Sequence, residues 1–274
     1  MTLPFNKLEH HKVYKNTFLQ CVYVILEYSC KSDNFFDDAF YDRLERYITE
    51  QFPGMDFDAN KARHSKGNLG LENKKEGLRF ELHNGRIIVI VDKRRYRSFV
   101  DSVIPLIYRL VVYLKEVIKV DSLNKVIEKK INLWLADQNK PEEKEFNFNY
   151  LEDLILSDNI KSDKGNRVDR NADEHGQQLV WKNEWTKDEV GGKINLMVSR
   201  VHIANNSKRG CLVLDSDVCD MNVSTDNLPK TLMDANGILY DVYHWAVSER
   251  VIKMMEKEYK SINDTNGQTI DDGK

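Results

Sequence analysis

One segment, LRFELHNGRIIVIV at residues 78–91, limits the fold more than any other part of the sequence. Two apolar runs flank the dipeptide formed by Asn84 and Gly85. Both residues tolerate positive φ, and an Asn-Gly dipeptide between apolar runs is therefore a strong signal for a β-hairpin. Because a two-residue hairpin turn joins antiparallel strands, this segment predicts an antiparallel sheet.

The rest of the chain predicts further strands and three long helices. Strands are predicted at 17–29, 125–137, 177–186, 193–204 and 209–219, and helices at about 33–52, 102–118 and 228–259. The predicted helix caps are Asp33 or Asn34, Ser102, and Asp226 or Asn227. The polar segments 64–77 and 157–176 are predicted to be loops. These patterns favour an α+β fold, with a mainly antiparallel sheet and long helices packed on one face.

No change of composition marks a linker, so the sequence predicts a single domain over residues 1–260. The alternative is two pseudo-equivalent halves, about 15–137 and 177–260, joined by a mobile loop at 157–176. The polar tail, residues 261–274, is predicted to be disordered.

Charge and cysteine content argue against several classes of protein. The 41 basic residues nearly balance the 44 acidic residues, whereas a protein that coats DNA needs a large basic excess. The most apolar segment, 103–115, is short and contains Arg109, so no membrane span is predicted. The first residues lack a signal-peptide pattern, and the four cysteines lack metal-finger spacing. A cytoplasmic protein with reduced thiols, not associated with membranes, is therefore predicted.

An acidic pair in GCLVLDSDVCD, residues 210–220, is the first candidate site. On a strand, Asp215 and Asp217 point to the same face, roughly 7 Å apart. Two such carboxylates could bind Mg²⁺ or Mn²⁺ and act as catalytic groups, with His202, Asp220 or Glu249 as a third ligand. The pair lies too late in the chain for the haloacid-dehalogenase phosphatases that its spacing resembles. We favour an ordinary role on the solvated face of an antiparallel strand.

A basic cluster in DKRRYRSF, residues 92–99, is the second candidate site. It contains Lys93, Arg94, Arg95 and Arg97, interleaved with aromatic residues, a pattern that suits phosphate or single-stranded nucleic acid. A charged strand edge that prevents aggregation explains the same pattern. We favour the charged edge, because the total charge is close to neutral.

His244 is the third candidate. It lies in LYDVYHWAVSERV, with Asp241 three residues before it and Glu249 five residues after it, and could transfer protons. A packing role is favoured, because helical spacing places Glu249 away from the face that carries His244.

Several segments together resemble an uncharacterised, sporadically distributed family of prokaryotic proteins of about this length. They are FLQCVYVILEY, QFPG, RRYRSFVDSVIPLIYRL, INLWL, LVLDSDV and LYDVYHWAVSERV, which span most of residues 15–255. The chain departs from the family where KINLWL lacks an arginine-tyrosine pair and where Tyr243 precedes His244. The resemblance implies no established activity, and it implies genes that travel with phage, mobile elements or antiviral defence systems.

The sequence therefore favours a non-enzymatic binding, accessory or sensor protein of a phage-defence or mobile-element system, with a protein partner. One alternative is a metal-dependent nuclease or phosphotransfer enzyme that uses Asp215 and Asp217. Another is a self-associating scaffold, a homodimer formed through the long last helix and exposed tryptophans.

Overall fold

A computed structural model describes residues 3–8, 14, 18–29, 37–55, 57, 59–64, 69–83, 85–137, 151–168, 177–202 and 209–256. Its main feature is an eight-stranded sheet with the order β2-β3-β4-β1-β5-β8-β7-β6, in which every neighbouring pair is antiparallel. The strands are β1 Leu19–Glu27, β2 Leu69–Asn73, β3 Leu78–His83, β4 Arg86–Asp92, β5 Ser122–Asp137, β6 Gln177–Thr186, β7 Lys193–His202 and β8 Arg209–Ser224. The predicted α+β class with an antiparallel sheet is confirmed.

The helices are mostly short. They are α1 Asp38–Gln51, α2 Ala59–His64, α3 Phe99–Ser102, α4 Ile104–Val112 with a π-helical turn Tyr113–Ile118, α5 Leu151–Ile155, α6 Asp158–Ser162, α7 Leu228–Ala246 after a 3-10 turn Thr225–Asn227, and α8 at 249–256. Among these described helices, only α1 and α7 are longer than ten residues. Within the same part of the chain, every helix is too short or too polar to cross a membrane.

The buried core lies on one face of the sheet. Val24, Glu128, Val218 and Ile194 are aligned across β1, β5, β8 and β7, and all four are buried. Aligned residues share a face, so these four buried side chains lie on the same side of the sheet. The described apolar residues form two clusters, one around β1 to β4, α1 and α4 and the other around β6 to β8, α5 and α7. The alternate side chains of β5 and β8 face the opposite side.

The hairpin prediction is confirmed. β3 and β4 pair directly, and Gly85 has φ 76°, the left-handed conformation that such a turn requires. Asn84 lies outside the described residues, as do Cys30 and the tail 261–274. The structure differs within the two predicted loops, because β2 occupies 69–73 and α6 occupies 158–162. Leu71 and Ile160 are buried at 2% and 3% exposure and anchor these short elements to the core.

Two predicted helix caps and one predicted helix end differ from the structure, and the predicted caps Asp33 and Asn34 lie outside the described residues. Asp37 caps α1, accepting a 2.7 Å hydrogen bond from the Phe40 amide, and Ser98 caps α3. Residue Pro105 does lie in the first turn of α4, as predicted.

The predicted final helix, 228–259, stops at Ala246. Val247 is extended and forms a β-bridge with Leu156, and Ser157 donates its amide to the carbonyl of Ala246 at 2.8 Å. This pairing with the segment between α5 and α6 takes up backbone groups that a continuous helix would need. Residue Asn227 is at the N-cap position of α7 but makes no capping bond through its side chain.

Candidate ligand-binding pocket

A cavity of about 270 Å³ lies between the central strands and α7. β5 and β8 form its floor, α7 forms one wall, and α3 with the loop before it forms the other wall. Most of the wall is aromatic or aliphatic. Its aromatic members are Tyr14, Tyr96, Phe99, Tyr240 and Tyr243.

The floor of this cavity is polar, although it belongs to the buried face of the sheet. Glu128, Lys130 and Asn132 alternate along β5, so all three side chains point to the same side of the sheet. Ser216 of β8 lies opposite Lys130 in the register. The exposed fractions are 0% for Glu128, 5% for Asn132 and 1% for Ser216. Lys130, Asn132 and Ser216 line the cavity, and Glu128 lies beside Lys130.

Lys130 connects the floor to both walls. Its ammonium nitrogen lies 3.7 Å from Glu128 Oε1 and donates a hydrogen bond to Asn236 Oδ1 of α7. The same nitrogen is 5.8 Å from the centre of the Phe99 ring, a distance at which a cation is attracted to the ring face. Lys130 keeps 13% of its side chain exposed, whereas Glu128 is completely buried behind it.

The electrostatics of this pair are governed by burial. Burial raises the pKa of Glu128 to about 8; the Lys130 ammonium opposes this shift, and the charge of Asp220 adds to it. Burial also lowers the pKa of Lys130, against the attraction of Glu128. Neither carboxylate oxygen of Glu128 has a hydrogen-bond partner among the described residues. The pair therefore binds or releases a proton near neutral pH, with each residue affecting the other.

Packing behind the aromatic wall holds it in place. The Tyr243 ring stacks on Trp134 at 6.3 Å with an interplanar angle of 12°, and its hydroxyl donates to Met255 Sδ at 3.6 Å. Trp134 is only 1% exposed. Burial raises the pKa of Tyr243, so this phenol stays protonated at neutral pH. The wall is therefore neutral, and the charge of the site comes from its floor and rim.

The rim combines one basic side chain with exposed apolar ones. Arg97 is exposed at the edge of the cavity, and its amide donates a 2.8 Å hydrogen bond to Ser102 Oγ. Val100 and Met233 also border the cavity and are 54% and 40% exposed. A molecule entering the cavity therefore passes apolar side chains and a guanidinium group.

The acidic pair lies on the face of the sheet opposite this pocket. Asp215 and Asp217 share a face, as predicted, and each has a protein partner. Asp215 Oδ2 is 2.5 Å from the Lys129 ammonium, and Asp217 Oδ1 accepts a 2.8 Å hydrogen bond from Asn195. Burial raises the pKa of Asp217, while the bond from Asn195 opposes this shift. This face is half-buried rather than solvated, since the Asp215 side chain is 17% exposed.

The proposed third metal ligands do not join the pair. Asp220 points to the other face of β8 and is bonded to Lys187. Glu249 lies in α8 and pairs with Lys253 at 3.2 Å, while the side chain of His202 lies outside the described part of the structure. Among the described side chains, no three of His, Cys, Asp or Glu form a group that could hold a metal. Binding of Mg²⁺ or Mn²⁺ by the pair stays a prediction.

The basic cluster is divided between several places. Arg94 binds both oxygens of Asp92, at 3.0 and 3.2 Å, and Arg95 forms an ion pair with Glu76. Arg97 instead lies at the rim of the pocket. Lys93 is exposed, and its amide donates to the carbonyl of Gln20 at 2.8 Å. A joint surface for nucleic acid stays a prediction.

His244 packs among aromatic rings. It lies in the last turn of α7, half-buried, with its ring centre 4.3 Å from that of Tyr240 and 6.1 Å from that of Tyr14. Asp241 is buried and accepts a 3.1 Å hydrogen bond from the amide of Leu8. These contacts give His244 a place in the packing beside the pocket, and its catalytic role stays a prediction.

Comparison with known proteins adds no assignment, since no family model and no curated protein matches the chain. The resemblance to an uncharacterised prokaryotic family stays a prediction. The site is therefore defined by its geometry alone, and its principal residues, Glu128 and Lys130, were not among the predicted site residues.

Proposed function

We propose that this chain is a non-enzymatic binding protein of the sensor type, and that the pocket between β5, β8 and α7 holds a small, mostly apolar molecule. One observation supports this proposal above all: the amine of Lys130 lies at the polar floor of a cavity whose walls are mostly apolar. Ligand sites in proteins combine apolar walls with a few converging polar groups in this way. Asn132, Ser216 and Asn236 supply the other polar groups.

Stability gives little reason for charged residues at this position. A buried ion pair is often no more stabilising than apolar residues of similar size, because both charges lose their hydration. Glu128 makes this cost larger, since its carboxylate accepts no hydrogen bond from the described residues. Buried titratable groups with shifted pKa values, placed beside a cavity, are typical of functional sites. The pair therefore supports a binding role.

The proposal includes the predicted packing of the long helices on one face of the sheet. α7 contacts β5 and β8, and α4 contacts α7. A ligand that enters beside α7 then touches a helix and the sheet at the same time. A protein partner, a homodimer, a cytoplasmic location and a place in a phage-defence system stay predictions from the sequence. The metal-dependent alternative gains no support, because Lys129 and Asn195 each bind one oxygen of the pair and no third ligand joins it among the described residues.

A neutral fluorescent probe, N-phenyl-1-naphthylamine, tests the proposal. We expect saturable binding of one probe per chain, with enhanced emission because the probe leaves water for an apolar site. Val100→Trp places a large ring at the rim, and we expect it to weaken binding about tenfold, the effect of a loss of about 1.4 kcal/mol. Val190→Trp is the matched control, since Val190 is 66% exposed in the loop between β6 and β7.

Two results would contradict the proposal. One is the absence of saturable binding to the unmodified protein. The other is equal affinity in the unmodified protein, Val100→Trp and Val190→Trp, because the probe would then bind elsewhere. Circular dichroism of each variant verifies that the fold is retained.

A further inference from the structure

We infer that the ligand of this pocket is a small organic anion, an aryl or alkyl group with one carboxylate or sulfonate, which pairs with Lys130 while Glu128 holds a proton. This inference rests on the proposed function and specifies the chemical class of its ligand. It concerns binding only, and no covalent bond forms or breaks.

The position of Lys130 favours an anion. Its side chain is partly exposed to the cavity, whereas Glu128 is completely buried, so an incoming group reaches the amine and not the carboxylate. Asn236 and Ser216 border the same part of the floor and can donate hydrogen bonds to an anion. Arg97 adds a second positive charge at the entrance. Two cationic groups along one path attract anions and repel cations.

The body of the ligand follows from the walls. Phe99, Tyr96, Tyr240 and Tyr243 offer ring faces, and Leu239 adds an aliphatic surface. Apolar rings or chains bury their surface against such side chains, and the gain grows with the area removed from water. A volume of about 270 Å³ suits one or two rings rather than a nucleotide or a peptide.

The second part of the inference concerns the proton. When Lys130 turns to a bound anion, the carboxylate of Glu128 loses its only ion-pair partner among the described residues. A buried carboxylate without a partner is strongly disfavoured, and it takes up a proton. Where Glu128 is ionised in the free pocket, one anion and one proton therefore enter together.

The groups around Glu128 also favour its protonated form when Lys130 binds an anion. Lys130 is its neighbour on β5, and Asp220 of β8 repels its negative charge. Burial raises the pKa of Tyr96, in the loop before α3, and the negative charge of Glu128 raises it further. β1 contributes the apolar Val24, and α7 contributes the uncharged Asn236, which is bonded to Lys130.

In the free pocket, Glu128 is already mostly protonated near neutral pH. The pKa of Glu128 is raised to about 8, so below that pH the carboxyl is mostly protonated and does not compete with a ligand for Lys130. Above that pH, Glu128 becomes an anion and competes for Lys130. Anion binding then requires the uptake of a proton.

A matched pair of probes tests the ligand class. 8-Anilinonaphthalene-1-sulfonate has the ring system of N-phenyl-1-naphthylamine and adds one sulfonate, which stays ionised throughout the pH range used. At pH 6.5, we expect the unmodified protein to bind the sulfonate at least about tenfold more tightly, the effect of one charge-assisted contact. Lys130→Met should abolish this preference. Lys129→Met should keep it, because Lys129 is the next residue of β5 and points to the opposite face.

Calorimetry in two buffers of different ionisation enthalpy tests the proton. We expect the number of protons taken up per sulfonate probe to rise from near zero at about pH 6 to near one at about pH 9. The affinity for this probe should fall over the same range by up to about tenfold per pH unit above 8. The neutral probe should show neither effect.

The outcomes separate this inference from the proposed function. If the neutral probe binds in the pocket and the sulfonate binds no more tightly, the ligand is not an anion, although the pocket remains a binding site. If both probes fail to bind, the proposed function fails as well. A proton count that does not change with pH would overturn the role of Glu128. The probe comparison and the proton count use the unmodified protein, so they stand even if Lys130→Met does not fold.

Discussion

Lys129 and Lys130 are neighbours on β5, and their ammonium groups lie on opposite faces of the sheet. The Lys129 nitrogen is 2.5 Å from Asp215 Oδ2, whereas the Lys130 nitrogen is 3.7 Å from Glu128 Oε1. One strand therefore carries two lysine–carboxylate pairs in different surroundings. The Lys129 side chain is 26% exposed and its partner is 17% exposed, while the second pair is 13% and 0% exposed. Only the more deeply buried pair borders the cavity.

The first prediction concerns the effect of Glu128 on stability. Its pKa is raised from 4.5 to about 8 in the folded protein, so between these values the folded chain binds more protons than the unfolded chain. The free energy of unfolding therefore falls as the pH rises through this window. Glu128→Gln should remove this part of the pH dependence, a change on the order of 3 kcal/mol between pH 5 and 8.

Urea denaturation at several pH values measures this effect. Glu184→Gln is the control, since Glu184 is 49% exposed and pairs with Lys193 at the surface. If the free energy of unfolding of the two variants and of the unmodified protein changes in parallel between pH 5 and 8, the pKa of Glu128 is not raised in the folded protein. Lys130 acts in the opposite direction, because its lowered pKa makes stability rise with pH towards 10.5.

The sheet was predictable because its signals are local. An Asn-Gly turn and apolar alternation depend on neighbours in sequence, and they located β3, β4, β5 and β8. The end of α7 was not predictable in the same way. Its apolar spacing continues through Val251 and Met255, yet the bridge between Val247 and Leu156 interrupts the helix. That bridge joins segments about ninety residues apart, and no local pattern reports it.

The pocket was not predictable because an alternating strand does not reveal which of its faces is buried. On β5, Ile127 and Ile131 favour one face as the core, but the structure buries the face that carries Val126, Glu128 and Trp134. The neighbouring strands and helices decide this choice, and a shift by one residue would exchange the two faces. The buried tryptophan was the available signal, since it shares a face with the charged residues.

The second prediction concerns the acidic pair. We expect Mn²⁺ at millimolar concentration to leave the melting temperature of the protein unchanged, because Lys129 and Asn195 already occupy carboxylate oxygens of Asp215 and Asp217. Differential scanning fluorimetry with and without the ion measures this. A metal-dependent rise that disappears in Asp215→Asn would instead favour the enzyme alternative. Asp188→Asn is the control, since Asp188 lies in the loop between β6 and β7 and accepts a 3.0 Å hydrogen bond from the amide of Val190.

The third prediction concerns the basic cluster. Arg94 and Arg95 are neutralised by Asp92 and Glu76, so we expect no saturable binding of a single-stranded oligonucleotide at low salt. Fluorescence anisotropy with a labelled oligonucleotide measures this. Binding that is lost when Arg94, Arg95 and Arg97 are all changed to Glu would show that the cluster acts as a nucleic-acid surface.

The fourth prediction compares two neighbours at the end of β5. Trp134 is 1% exposed, stacks on Tyr243 at 6.3 Å and lies 5.3 Å from the ring of Phe18, whereas Leu135 is 58% exposed. Trp134→Ala should lower the free energy of unfolding by about 3–5 kcal/mol, because it leaves a cavity behind the pocket wall. Leu135→Ala should change stability by less than about 0.5 kcal/mol.

The same two variants, Trp134→Ala and Leu135→Ala, also test probe binding. Loss of Trp134 removes the support behind Tyr243, so a Trp134→Ala protein that still folds should bind N-phenyl-1-naphthylamine more weakly. Leu135→Ala should bind the probe as the unmodified protein does, because its side chain points away from the cavity. Equal stability of the two variants in urea denaturation would mean that the buried and exposed faces of β5 are assigned the wrong way round. The position of Lys130 at the pocket depends on this same assignment, because Trp134 and Lys130 share a face.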